Sequence, residues 1–431
     1  MGAYLSQPVR TKESSSGHCK WHRWGASEMQ GWRTNMEDAH VSHSDLGEDL
    51  SDLAFFGVFD GHGGAEVAAF CREHLLEDVR RRLRLSPPGS RRSEENLAKV
   101  FTESFHQMDE MLCSPEHERE LLALRQACRP GSHRPQGRTS SDTSPGGSSS
   151  SSSSSASSSG SSAPSSGDER EEGEEADGPG KPKVVSVLTD SIQSDLEQAR
   201  DKGSLSKEEA KQVMMKMAML RKLESRVPSL SPETGIADNV GCTAVCVLLS
   251  AREAVCANAG DSRAILCRKG KPVELSHDHK PNDGEEKRRI EAAGGRVQET
   301  TVGKRVHHRV NGNLNLSRAI GDLEFKKLPD AGPEQQMICS TPDIIRVPLA
   351  EDDEFIVLAC DGVWDVKSNQ DVCDFVGERL KQNEAIPAVV EALLDDCIAD
   401  DPKKVHGLGA DNMTCIVVQL RKSDRPSGYS L

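Results

Sequence analysis

Asp60 and His62 sit in the run Phe59-Asp-Gly-His-Gly-Gly64, where the apolar stretch Leu53–Phe59 gives way to glycine. A carboxylate and an imidazole thus emerge where a core strand stops, and the glycines leave the backbone open to an ion or anion. Glu354 to Asp365 repeats this grammar, with an apolar run, then Asp361-Gly, then a second acid at Asp365. Asp411-Asn412 immediately precedes another apolar run, and Arg33, Glu37 and Asp38 crowd together near the start. Taken singly, each Asp-Gly is as well explained by a turn whose Asp caps the next helix. Taken together, acids at the ends of apolar strands repel one another and are costly to desolvate without a counter-ion. Two divalent cations would resolve this. Oxygen ligands point to Mg2+ or Mn2+ rather than zinc, because no His or Cys cluster has zinc spacing in the sequence. A pair of hard cations can ready a water for in-line attack on phosphorus. Arg33 can clamp two phosphate oxygens through its planar fork, and His62 can protonate the departing alkoxide. No nucleophilic side chain is needed.

The elements that must position these groups are legible in part. Leu53–Phe59 reads as a strand buried on both faces, and Val67, Cys71, Leu75 and Val79 make a helical stripe directly after the glycines. Leu97 to Leu112 reads as a second helix and Trp24–Met29 as a strand. Cys242–Leu249, Ala254–Asn258 and Ala264–Cys267 are strand-like, with Gly260-Asp-Ser-Arg263 expected as a tight turn between the last two. Asp283–Ala293 reads as a helix closed by Gly294-Gly295. Ile344–Val347, Glu354–Cys360 and Met413–Leu420 read as strands, with helices near Gln370–Leu380 and Ala385–Ile398. Sheets packed together with helices outside, an α+β layered domain, fit this order. His277-Asp-His279 reads as a surface turn before Pro281 rather than a ligand pair.

Composition narrows the partners. The 431-residue chain carries a net charge of −15, which argues against a nucleic-acid backbone as the main partner and suits a protein that recruits cations. Thirteen scattered cysteines without a Cys-x-x-Cys pair read as reduced thiols in a cytoplasmic or nuclear setting. No apolar run is long enough to span a bilayer. Met1-Gly-Ala-Tyr-Leu-Ser6 fits the pattern for N-myristoylation of Gly2, which would add weak, reversible membrane association. Residues 139–166 hold 18 serines in 28 positions and Asp168–Asp177 holds seven acids in ten, so both are expected to be disordered. Beyond them, Ser206 and Glu209 form a capping box before a Met-rich stripe. The reading is a tail over 1–22, a domain over 23–421 interrupted by a Ser-rich and acidic insertion over 114–236, and a second tail over 422–431.

In order, Glu37-Asp38 after Arg33, Phe59-Asp-Gly-His-Gly-Gly64, Gly260-Asp-Ser-Arg263, Leu316-Ser-Arg-Ala-Ile-Gly-Asp322, Asp361-Gly-Val-Trp-Asp365 and Asp411-Asn412 form a set. It resembles the motif series of the metal-dependent type-2C protein serine/threonine phosphatases. The match spans roughly 23–113 and 237–420, and Met1–Pro8 with the acidic insertion resembles the gamma-type branch. The resemblance implies a four-layer αββα sandwich, two antiparallel β-sheets flanked by helices, with a binuclear centre at one end. It implies that Asp60 bridges two Mg2+ or Mn2+ ions, that the Gly61 carbonyl binds the second, and that Asp361 and Asp411 bind the first. Glu37 would act mainly through water, and Asp38 would belong to the same acidic wall. Asp261 and Asp365 fall where the family sometimes holds a weaker third metal. Arg33 and His62 match the phosphate clamp and the general acid, and Val302–Asp322 covers the flap that shapes access. The expected substrates are phosphoserine and phosphothreonine proteins, basic ones suiting the acidic insertion, and the expected state is a monomer. The rival reading is an inactive scaffold of the same fold acting through the insertion, and all the matching acids being present counts against it.

Overall fold

The computed structural model describes residues 4–128, 235–302 and 305–421. They fall in one compact unit, Met1–Arg134 with Pro232–Leu431. Gly2, the Ser-rich and acidic runs, the Ser206 capping box and residues 422–431 lie outside the described residues.

Strand β4 (Leu53–Phe59) shows how the layers arise. Successive side chains of a strand point to opposite faces. Phe55 and Phe59 enter a core shared with helices, while Ala54, Phe56 and Val58 enter a core between two sheets. β4 lies in a five-stranded antiparallel sheet with β3 (Ala39–His43), β7 (Ala244–Ser250), β8 (Glu253–Ala259) and β14 (Asp343–Pro348), in the order β14-β8-β7-β4-β3. The facing six-stranded antiparallel sheet runs β1 (Val9–His18), β2 (His22–Gly31), β16 (Met413–Leu420), β15 (Asp353–Ala359), β9 (Arg263–Arg268), β10 (Lys271–Glu274). On β15, Ile356 and Leu358 face the other sheet, while Phe355 and Val357 face helices.

Helices α1 (Glu66–Leu85), α2 (Glu94–Leu112) and α3 (Pro115–Ala127) cover the five-stranded sheet through Val67, Phe70, Leu75, Phe101, Phe105 and Leu121. Helices α6 (Asn369–Lys381) and α7 (Ile386–Cys397) cover the six-stranded sheet. The result is the expected αββα sandwich. Among the described residues no helix is long and apolar enough to cross a membrane.

Four expectations are corrected. The segment 1–22 is not all tail, because Val9–His18 forms the edge strand β1 along β2. Its residues are mostly exposed and polar, so no apolar alternation betrays it. The insertion does not begin at 114, because Ser114 caps α3 and Pro115 opens it, and Leu121 is buried against the core. Ile236 and Ala237 are also buried in that core. Gly260–Arg263 is not a hairpin turn, since it carries the chain from β8 in one sheet to β9 in the other. His277 is exposed as a surface turn requires, but His279 is buried, accepting from Gly260 N at 3.2 Å and meeting Asp343 at 3.1 Å.

The segment leading to Asp322 rests on a satellite core of Ile290, Val310, Ala319 and Ile338. It joins helix α4 (Gly284–Ala292) to the hairpin β11 (Val297–Val302) and β12 (Arg305–Val310). Glu286 on α4 is buried and accepts from Arg318 at 2.9 Å and Arg289 at 2.9 Å. Arg318 also reaches Asp343 on β14 at 2.7 Å. Burial pushes the Glu286 carboxyl up, but the two guanidinium groups outweigh it and bring its pKa down to about 2. A depressed carboxyl stabilises the fold above its unfolded pKa of about 4.5 and loses that contribution as pH falls toward 2. Glu286→Gln is therefore expected to lower the unfolding free energy at neutral pH by on the order of 2–4 kcal/mol. In urea titrations across a pH series, the gap from the native chain should narrow as the pH drops below about 4.5.

Candidate metal centre

Strand register brings the acids to one end of the sandwich. Ala39 pairs with Phe59, Val58 with Val245 and Ala244 with Ala259, so Asp38, Asp60 and Asp261 all leave the five-stranded sheet on the same side. In the other sheet Ala359 pairs with Cys415 and Met413 with Met29, which aligns Asp361, Asp411 and the Arg33 loop. Antiparallel pairing does this automatically, because one strand's end lies beside its neighbour's start.

The loops are laced together by polar contacts. Asn412 accepts from Glu37 N at 2.9 Å and donates to Gln30 O and Asn35 O at 2.8 and 2.9 Å. Thr414 donates to the buried Asp38 at 2.8 Å, and Thr243 N donates to Asp60 O at 2.9 Å. That last bond splits the expected strand at Thr243, leaving β6 (Gly241–Cys242) to pair with β5 (Gly61–His62) on one side and β13 (Ile320–Gly321) on the other. A Cβ at Gly61 would fall 2.1 Å from Glu37 O, so only glycine lets the Glu37 loop pass this close.

The carboxylates feel one another. Burial and then the charges of Asp38, Asp361, Asp411 and Asp261 hold Asp60 well above the usual carboxylate range. Burial, then Asp261, Asp411 and Asp365, do the same to Asp361, which Lys280 partly offsets. Asp38 is pushed up to about 7 by burial, against the Thr414 hydrogen bond and with Asp411 adding to the rise. Glu37 is raised by burial, with Arg33 and His62 opposing. Such a cluster holds protons tightly, and a divalent cation that takes their place satisfies several carboxylates at once. Its donors are oxygens apart from the Cys360 thiol, which shares the Asp38–Asp60 corner within 4.8 Å. Burial, then Asp38, Asp60 and Asp361, keep that thiol protonated, so it offers neither a soft ligand nor a nucleophile. The residues present fit Mg2+ or Mn2+.

Arg33 and His62 border this cluster. Arg33 is 42% exposed and donates through Nη2 to Asp411 at 2.5 Å. Burial works against its charge, but Asp411 raises its pKa. His62 Nε2 meets Asp322 at 2.6 Å. Burial lowers the imidazole pKa and Asp322 more than restores it, so the net direction is up. Asp322 adopts the left-handed conformation, with φ at 49°, and its N–H donates to Val240 O. A Cβ on Gly241 would lie 2.8 Å from His62 Nε2 and 2.6 Å from Asp322, so glycine makes room for the pair.

Sequence reasoning missed two partners here. Asp322 was legible only as the end of a motif, and its contact with His62 spans 260 residues. Lys280, which pairs with Asp261, carried no signal beyond its neighbour Pro281. Asp365 caps the short helix α5 (Asp361–Trp364) and lies on the Asp361 side of the cluster.

The protein phosphatase 2C family model matches residues 22–128 and 139–404. The chain is 35% identical over 423 residues to Probable protein phosphatase 2C 11 of Oryza sativa subsp. japonica, covering 98% of this chain and 91% of that relative. It is 32% identical over 425 residues to Probable protein phosphatase 2C 4 of Paramecium tetraurelia, covering 98% and 99%. A crystal structure of a phosphatase from Toxoplasma gondii shares the fold, with a TM-score of 0.54 and 18% identity over 96% of each chain. A layered α+β domain with carboxylates gathered at one end fits the metal-dependent hydrolases. The chain belongs to the protein phosphatase 2C family and is a protein serine/threonine phosphatase.

Asn412 is the residue on which the loops converge, and its amide both accepts and donates. Asn412→Asp keeps the bond from Glu37 N but turns a carboxylate oxygen toward the carbonyls of Gln30 and Asn35. The expected loss is on the order of 2–4 kcal/mol at pH 8, read as a lower urea midpoint with an unchanged slope.

Proposed function

We propose that the centre hydrolyses phosphoserine and phosphothreonine in proteins with two Mg2+ or Mn2+ ions held by Asp60, Asp361, Asp411, Glu37, Asp38 and the Gly61 carbonyl. The observation that carries this reading is the convergence of Asp38, Asp60 and Asp361 at one end of the sandwich, where burial first and then acids from other loops raise all three. When bound, the ions supply the Lewis acidity that readies a water and offsets phosphate charge. The remaining work belongs to side chains. Arg33 is tethered to Asp411 through one nitrogen, and its other donors bind phosphate oxygens and orient the ester. His62, held by Asp322, delivers a proton to the serine or threonine oxygen as it leaves. Asp261 and Asp365 form a weaker third position, because Lys280 already neutralises Asp261 and competes with a cation there.

The N-terminal pattern supports myristoylation of Gly2, and with it weak membrane association of an otherwise cytoplasmic or nuclear monomer. The acidic run 168–177 favours basic phosphoproteins as substrates.

Asp60→Asn should lower manganese-dependent turnover of a phosphoserine peptide by ~10³-fold or more. His62→Gln should cost roughly 10²-fold on that peptide, whose alkoxide needs a proton. On an aryl phosphate with an acidic phenol it should cost little. Equal losses on both substrates would remove His62 from the role of general acid.

A further inference from the structure

A second cluster of ligating side chains lies on the helical layer, away from the acids. His74 projects from α1, and His117 and Glu120 lie three residues apart on one face of α3. Glu120 meets His74 Nε2 at 2.7 Å through one oxygen and His117 Nδ1 at 3.1 Å through the other. One donor atom from each of the three lies within 4.8 Å of the others. Phe70 packs against both imidazoles, with ring centroids 4.2 and 5.3 Å away, which fixes how the rings point. The three side chains are between 23% and 35% exposed, so an ion can enter from solvent.

We propose that His74, His117 and Glu120 form a zinc site, with water completing the coordination. Two imidazole nitrogens and one carboxylate are the donor types zinc takes, and hard Mg2+ is poorly served by them. The chemistry is therefore orthogonal to that of the carboxylate centre, and the two sites sort ions by ligand type. The proposal does not depend on the catalytic roles assigned above.

The site has a mechanical consequence. Helix α3 touches α1 at a second point, where Arg125 donates to the buried Glu66 at 2.7 Å. Glu66 opens α1 after Ala65, which follows the glycines beyond His62, and its charge is felt by Glu37. Zinc bridging α1 and α3 would clamp the helix that carries Arg125. It would stiffen the seat of the catalytic loop without touching a reacting atom.

The test is calorimetric titration of Zn2+ into chelator-stripped full-length protein in excess Mg2+, which occupies the all-oxygen centre. The native chain and Asp60→Asn should each bind one zinc ion. His74→Ala with His117→Ala should bind at least ~100-fold more weakly, and Glu120→Gln at least ~10-fold more weakly. Zinc should raise the Tm of the native chain and leave that of the double variant unmoved. Glu120→Gln keeps a hydrogen-bond partner for each ring, its amide oxygen accepting from one imidazole and its NH2 donating to the bare nitrogen of the other, so it decides the matter if the double variant fails to fold. Unchanged zinc affinity in Glu120→Gln and the double variant overturns the proposal. So does a native chain that binds no zinc, or zinc binding lost in Asp60→Asn, which would put the ion among the catalytic acids. In those cases Glu120 is a hydrogen-bond bridge between two imidazoles only.

Discussion

Like charges confined together are the constraint from which the other features follow. Asp60 stands among Asp38, Asp361, Asp411 and Asp261, and burial first, then each of the four, raises its hold on a proton. In water such groups would separate. Here they cannot, because each is anchored where a core strand starts or stops. The energy of burying two sheets against each other is set against the repulsion, and a cation relieves what remains.

The sandwich makes that confinement possible through register. β4 is buried along its whole length, with phenylalanines committed to both faces. A slip of one residue would turn Phe55 and Phe59 into the inter-sheet core and carry Asp60 out of the cluster. β15 and β16 are held in the same way, so the placement of Asp361 and Asp411 is a by-product of core packing. The polar lacing from Asn412, Thr414 and Thr243 then closes the gaps between loops. Asp322 adds a different element, a carboxylate that favours the charged form of His62 beside a centre where other acids are crowded.

Most of this was legible in the sequence where apolar runs end in acids. The Leu53–Phe59 and Glu354–Cys360 strands, the α1 stripe and the acids after them needed only periodicity and the cost of desolvation. What periodicity could not reveal was pairing across the chain. β1 is polar on both faces, and its partner on the sheet edge is known only from the fold. α3 follows a plain Ser-Pro start with few apolar residues, so it merged with the polar segment after it. His62 with Asp322, and His74 with His117 and Glu120, join residues separated by 260 and by 43 to 46 positions. No spacing rule reaches that far. Gly260–Arg263 misled because its composition matches a turn, while the strands it joins belong to different sheets.

If the clustered acids oppose one another when no cation is present, relieving one of them should strengthen the empty fold. The direct measurement is the urea unfolding free energy at pH 8 in chelator for the native chain and Asp361→Asn. The variant should be the more stable of the two, since it removes a half-buried charge that its neighbours resist. A variant less stable than the native chain under those conditions would contradict the account, because it would mean that the acids hold the structure together without any ion.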